Sequence, residues 1–158
     1  MQNCPCDSGK PYSDCCGLFI ACNNSPATPE ELMRSRYTAY TQANIEYIML
    51  TMRAPASNNF DAEAARKWAQ KVKWIKLEIK KTSIHNTIGY VEFVAYFNEE
   101  NTMKTMHELS EFHLDKGKWY YVDGKNSKPT SSIAHPKIKR NDLCLCGSGK
   151  KHKKCCGQ

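Results

Sequence analysis

Long apolar runs are missing from this chain of 158 residues: no window approaches the roughly 18 uninterrupted apolar residues of a membrane span. The opening Met1-Gln-Asn-Cys4-Pro-Cys6 lacks the basic and apolar stretches of a secretory signal. These absences exclude a membrane-spanning helix and set the expectation of a cytoplasmic protein. Also missing are a Ser-His-Asp order, a phosphate-binding glycine loop, an HExxH helix and any DNA-specific motif, while His85, His107, His113 and His135 are scattered. The expectation therefore leans away from an enzyme.

What is abundant is cysteine, with nine. In a reducing compartment clustered thiols read as metal ligands or redox groups before they read as a disulfide framework. Their placement decides between those. Cys4-Pro-Cys6-Asp-Ser-Gly-Lys-Pro-Tyr-Ser-Asp-Cys15-Cys16-Gly17 matches Cys144-Leu-Cys146-Gly-Ser-Gly-Lys-Lys-His-Lys-Lys-Cys155-Cys156-Gly157 at a constant shift of 140, each reading C-x-C-x8-C-C-G.

A tetrahedral zinc site takes four thiolates at about 2.3 Å, and each copy offers four. The expectation is two zinc ions, one on Cys4, Cys6, Cys15 and Cys16 and the other on Cys144, Cys146, Cys155 and Cys156. Iron suits the same ligands, and vicinal disulfides or free thiols are the competing reading. With all four positions filled by protein thiols, such sites are structural. Segments this short cannot bury enough surface to fold alone, so metal binding supplies their folding energy. In each copy the Ser-Gly-Lys is expected to open a short helix that carries the second cysteine pair, and the glycine after the pair to end it. His152 matches Tyr12 in the other copy, so it is expected at the surface with Cys156 as fourth ligand. Cys22 lies outside both repeats and reads as a partly buried small residue.

Charge separates the copies. Residues 1–27 carry −1 and residues 137–158 carry +6; with a zinc ion on four thiolates the two ends come to about −3 and +4. Lys137, Lys139, Arg140, Lys150, Lys151, Lys153 and Lys154 surround the C-terminal site and suit an acidic protein, a ribosome or RNA, or an anionic surface.

Between the copies the length allows one domain with a core. The segment Ser25-Pro-Ala-Thr-Pro29 reads as a linker in which Thr28 caps a helix, with Pro29 at its first position and Glu31 at its third. Apolar periodicity carries that helix to about Met52. Pro55-Ala-Ser-Asn-Asn is a break, and Asp61 caps a second helix from Ala62 to Lys71. From Trp74 the period becomes two, giving strands from Trp74, over 87–97, over 104–114 and over 119–122, the last pair joined by Asp115-Lys-Gly-Lys118. Two helices followed by a four-stranded meander imply an α+β fold with one sheet face packed on the helices. Residues 125–140 read as a tether.

The stretch Arg140-Asn-Asp-Leu-Cys144 through Gly157 resembles the SEC-C motif, the zinc-binding tail named for the C-terminus of the SecA translocation ATPase. Leu32 to Tyr40, Gly89 to Phe97, Glu108 to Phe112 and Trp119 to Gly124 extend the similarity, and the whole chain resembles the YchJ family. That resemblance implies an NTF2-like cone over 28–125, flanked by zinc knuckles at 1–24 and 138–158. It also implies a macromolecular interaction or accessory role related to protein export, chaperones or the ribosome. Asp7 departs from the motif's usual glycine and is expected to loosen the N-terminal turn.

The cone implies a pocket, and its use differs among families of that fold. Met106, Glu108, Ser110 and Phe112 share one strand face, so Glu108 is the carboxylate such a pocket could tune, with Arg34 and Arg36 as partners. Small-molecule binding or catalysis in the cone is the alternative function. The competing view of these residues is a structural ion network.

Overall fold

The computed structural model describes residues 2–126, 139–144 and 148–155. A 3-10 turn over Tyr12–Asp14 leads into α1 (Cys16–Ile20), followed by α2 (Pro29–Thr41), α3 (Ile45–Leu50) and α4 (Ala62–Lys71). Four strands follow: β1 (Lys73–His85), β2 (Ile88–Glu99), β3 (Thr102–Asp115) and β4 (Lys118–Asn126). A second 3-10 turn, His152–Lys154, belongs to the C-terminal repeat.

The start of α2 follows its capping residues. Thr28 Oγ1 accepts from Glu31 N at 3.1 Å, and the Glu31 carboxylate reaches back to Ala27 N at 2.7 Å. The helix does not run on to Met52. It stops at Thr41 because Ala43 adopts φ 52° and Asn44 takes over as a new cap, its side chain accepting from Tyr47 N at 3.1 Å. Apolar spacing alone carried the expected helix across that break. Asp61 caps α4 through Ala64 N at 2.9 Å, as expected.

The strands form one antiparallel sheet in the order β1-β2-β3-β4. Alternation on β2 puts Val91, Phe93, Ala95 and Phe97 on the buried face. The β3–β4 turn has Lys116 and Gly117 both at positive φ, which matches the right-handed strand twist. Helix α2 lies on the inner face, where Leu32, Met33 and Tyr37 join Leu77, Val91, Phe93 and Phe112 in the main core.

Unpaired edges invite association; here the β4 edge carries main-chain bonds from the chain after α3, and the β1 edge has one donor taken up. On β4, the chain after α3 takes the outer bonds: Tyr121 N to Thr51 O, Arg53 N to Tyr121 O and Ala56 N to Val122 O, each 2.9 Å. On β1, Leu77 N donates to Asp7 Oδ2 at 2.9 Å. The N-terminal repeat thus meets the sheet at Leu77. No helix among the described residues is long and apolar enough to cross a membrane.

Candidate metal centres and the central cavity

In the N-terminal repeat, Cys4 N donates to Lys10 O at 2.9 Å and Cys15 N to Tyr12 O at 3.1 Å, folding the segment so that both cysteine pairs meet. The sulfur atoms of Cys4, Cys6, Cys15 and Cys16 all lie within 4.8 Å of one another. Cys6 Sγ to Cys15 Sγ is 3.6 Å and Cys15 Sγ to Cys16 Sγ is 3.9 Å. A tetrahedron with metal–sulfur bonds of about 2.3 Å has edges of about 3.8 Å. The cluster could therefore hold a metal ion. Cys4, Cys6 and Cys16 are buried, and Cys15 is half-buried. Hydrogen bonding with Cys16 holds the Cys6 thiol below its ordinary range, and the same interaction, with burial, pushes Cys16 up. Four thiols this close cannot all ionise unless a cation compensates them.

Among the described residues, the C-terminal repeat reproduces the main-chain bonds of this turn at the same shift of 140. Cys144 N donates to Lys150 O at 2.7 Å, and Cys155 N to His152 O at 3.1 Å. Ser148 Oγ lies 3.3 Å from Cys155 Sγ, where Ser8 Oγ lies 3.2 Å from Cys15 Sγ. Gly9 and Gly149 both have positive φ, at 77° and 69°. Cys144 is buried and Cys155 half-buried. Cys146, Cys156 and Lys137 lie outside the described residues.

Several expectations change here. The segment after Ser-Gly-Lys forms a 3-10 turn, and the helix begins only at Cys16. Gly17 starts that helix instead of ending it; a Cβ there would sit 2.7 Å from Tyr12 O, so close approach is what requires glycine. Asp7, at φ 57°, does not loosen the turn, because its carboxylate ties it to β1. Cys22 is exposed. His152 is half-buried with Nδ1 3.8 Å from Cys144 Sγ.

Arg34 leaves the cone. Its Nη1 donates to Cys6 O at 2.7 Å while Nε pairs with Glu30 at 2.9 Å, so it fastens the N-terminal knuckle to α2. Cys4 Sγ adds a contact to Thr38 Oγ1 at 3.9 Å. The knuckle is continuous with the main core, since Cys4, Cys6 and Cys16 pack with Leu32, Tyr37 and Phe93. The C-terminal copy has no counterpart to Asp7, because residue 147 is glycine. Lys139, Arg140, Lys150, Lys151 and Lys154 are exposed and Lys153 is half-buried. Lys73 Nζ reaches the Cys155 carbonyl at 3.5 Å, an exposed contact with the body.

Inside the cone is a cavity of about 340 Å³ whose wall includes Tyr37, Tyr40, Trp68, Trp74, Met106 and Tyr121. Glu108 and Arg36 line it together, so of the two arginines offered as partners for Glu108 only Arg36 reaches the cavity. Glu108 Oε1 accepts from Ser110 Oγ at 2.7 Å and Tyr121 OH at 3.0 Å. Arg36 is buried, donates from Nη1 to Ile48 O at 2.8 Å and Thr51 Oγ1 at 2.7 Å, and stacks over the Tyr121 ring at 4.5 Å. Burial lowers the Arg36 pKa from its usual value, opposed by Tyr40, Tyr121 and Glu108 among others, and burial together with Glu108 raises that of Tyr121. One residue of this site was missed. A Cβ on Gly124 would meet Glu108 Oε1 at 2.2 Å and Tyr121 OH at 2.4 Å, so glycine admits both groups against β4. The signal was a glycine within a strand, which marks a close approach.

Comparison with known proteins agrees with this architecture. Residues 28–124 match the family described as YchJ, middle NTF2-like domain, and residues 2–18 and 140–158 match the SEC-C motif. A UPF0225 protein of Geobacter sulfurreducens is 45% identical, over 98% of this chain and 97% of its own length. One from Vibrio parahaemolyticus is 42% identical over 99% of each. The solution structure of a SEC-C motif containing protein from Rhodopseudomonas palustris superposes with a TM-score of 0.74 at 37% identity, covering 80% of this chain and all of that one. The crystal structure of a SEC-C motif containing protein from Psychrobacter arcticus gives 0.65 at 32% identity, covering 99% of this chain and 96% of that one. With its SEC-C cysteines at both ends and an NTF2-like body between them, this chain belongs to the YchJ family of UPF0225 proteins.

Proposed function

We propose that this is a two-zinc accessory protein that docks on an acidic macromolecule in protein export, chaperoning or ribosome function through its C-terminal knuckle. The observation that carries the reading is the unequal fate of two locally identical repeats. The N-terminal one is fastened by Asp7, Arg34 and Thr38 and has its cysteines in the core. The C-terminal one keeps Lys139, Arg140, Lys150, Lys151 and Lys154 at the surface. Ligands Cys144, Cys146, Cys155 and Cys156 fix a short loop, so its cations are displayed on a rigid frame. Closed four-thiolate sites leave no coordination position for a substrate, so the metal's role is structural. The need to keep such thiolates reduced supports a cytoplasmic location.

The test is a pull-down comparing intact chain with chain truncated before Arg140. Intact protein captures an acidic protein, ribosomes or RNA, or anionic vesicles in a salt-sensitive way, and the truncated form does not. Equal capture by both forms, or none at low salt, refutes the reading. Metal analysis decides zinc against iron.

A second reading, favoured by the open cavity with Glu108 and Arg36 in its wall, is small-molecule binding in the cone. Arg34 has no part in it.

A further inference from the structure

The cavity's polar groups are incompletely used by the protein. Arg36 has five N–H donors, and among the described residues only Nη1 is hydrogen-bonded, to Ile48 O and Thr51 Oγ1. No carboxylate among those residues lies within ion-pairing distance of it, although it is only 5% exposed and lines the cavity. Trp74 lines the same cavity. Across the space, Glu108 accepts two bonds, both on Oε1, which leaves Oε2 available. Asp123, also in the wall, makes its bond to the neighbouring Gly124 N. Unpaired buried donors and a lone buried cation are costly, and they are the groups a ligand can satisfy.

We infer that the cavity binds a small α-amino acid with an apolar or aromatic side chain, its carboxylate on Arg36 and its ammonium on Glu108. This inference rests on the second reading above. The charges select the class. One guanidinium against two carboxylates, Glu108 and Asp123, leaves an excess negative charge that a simple carboxylic acid would enlarge, while a zwitterion matches both ends. Tyr121 separates the charged groups: its ring carries Arg36 and its hydroxyl carries Glu108, which keeps them from neutralising each other directly. Trp68, Tyr40 and Met106 supply an apolar wall for the side chain. The volume of about 340 Å³ lies at the lower end of small-ligand sites, which span roughly 300–1,000 Å³.

The test uses the intact, metal-loaded chain, titrated calorimetrically with L-phenylalanine, L-3-phenyllactate, 3-phenylpropanoate, 2-phenylethylamine and toluene. L-Phenylalanine is expected to bind at least about tenfold tighter than either 3-phenylpropanoate or 2-phenylethylamine, since each lacks one charge-assisted contact. L-3-Phenyllactate should fall between. Glu108→Gln keeps an acceptor for Ser110 and Tyr121, and it should erase the advantage of L-phenylalanine over 3-phenylpropanoate while leaving its advantage over 2-phenylethylamine. Tighter binding by phenyllactate than by phenylalanine overturns the ammonium assignment. Toluene binding as tightly as L-phenylalanine overturns the amino-acid class but leaves a small-molecule cavity, and failure of every probe removes both. None of the wild-type comparisons depends on a variant that must fold.

Discussion

Restoring the motif's usual residue at position 7 should weaken this protein. Asp7 sits at φ 57°, where a non-glycine residue is strained by about 1 kcal/mol, less for Asp than for most. Asp7→Gly removes that strain but also removes the carboxylate that accepts from Leu77 N at 2.9 Å. A hydrogen bond to a charged acceptor contributes about 1.5–3 kcal/mol. Adding glycine also enlarges the unfolded ensemble, at about 0.4–1 kcal/mol. The bond and the entropy together outweigh the strain, giving a net loss of about 1–3 kcal/mol. For a chain of this length that lowers the melting temperature by roughly 3–9 °C. Asp7→Ala keeps the strain and loses the bond, so it should be at least as damaging, and Asp7→Asn, which tolerates the conformation and still offers an oxygen, should be the mildest. Thermal and urea melts of the metal-loaded proteins measure this order. If Asp7→Gly is as stable as the parent, the carboxylate does not tie the knuckle to the sheet and the asymmetry between the repeats needs another cause.

Other consequences follow from the same contacts. Cys16→Ser should lower the melting temperature by roughly 12 °C, the loss of about 4 kcal/mol of metal linkage from a site built into the core, whereas Cys155→Ser should leave the body's main transition unchanged; calorimetry with metal analysis distinguishes them. Arg34→Ala unties the knuckle from α2 and should cost about 1–3 kcal/mol in urea melts, with zinc released to a chelator faster from the N-terminal site alone. Gly124→Ala forces Glu108 and Tyr121 away from β4 and should destabilise by about 1–3 kcal/mol, with a shifted environment for the cavity tryptophans by fluorescence.

The helix caps and the sheet were legible because each has a local cause. Thr28 and Asp61 accept the bonds their positions implied, and β2 buries the face its alternation marked. The N-terminal four-cysteine cluster was legible for a similar reason: spacing inside a short turn fixes where the sulfurs go. The break between α2 and α3 was not, because Ala43 in a left-handed conformation carries no compositional warning while the apolar rhythm continues on either side. Arg34 and Arg36 show the limit most plainly. Two arginines separated by one residue on a helix point about 200° apart, and only tertiary packing says which faces the cone. Arg36 enters the cavity and Arg34 meets the carbonyl of Cys6.

The repeats separate what a motif specifies from what its surroundings do with it. Among the described residues, the main-chain bonds from Cys4, Tyr12, Asp14 and Cys15 recur from Cys144, His152, Lys154 and Cys155, because they depend on a frame both copies share: the cysteines, Ser8 or Ser148, and Gly9 or Gly149 at positive φ. Attachment depends on residues they do not share. Asp7 gives the first copy a bond to β1, and Tyr12 places a ring 3.0 Å from where a Cβ on Gly17 would lie, packing the turn against α1. At the matching positions the second copy has glycine and His152, followed by lysines where the first has Ser13 and Asp14. Substitutions outside the ligand set thus turn one frame inward and leave the other bearing cations.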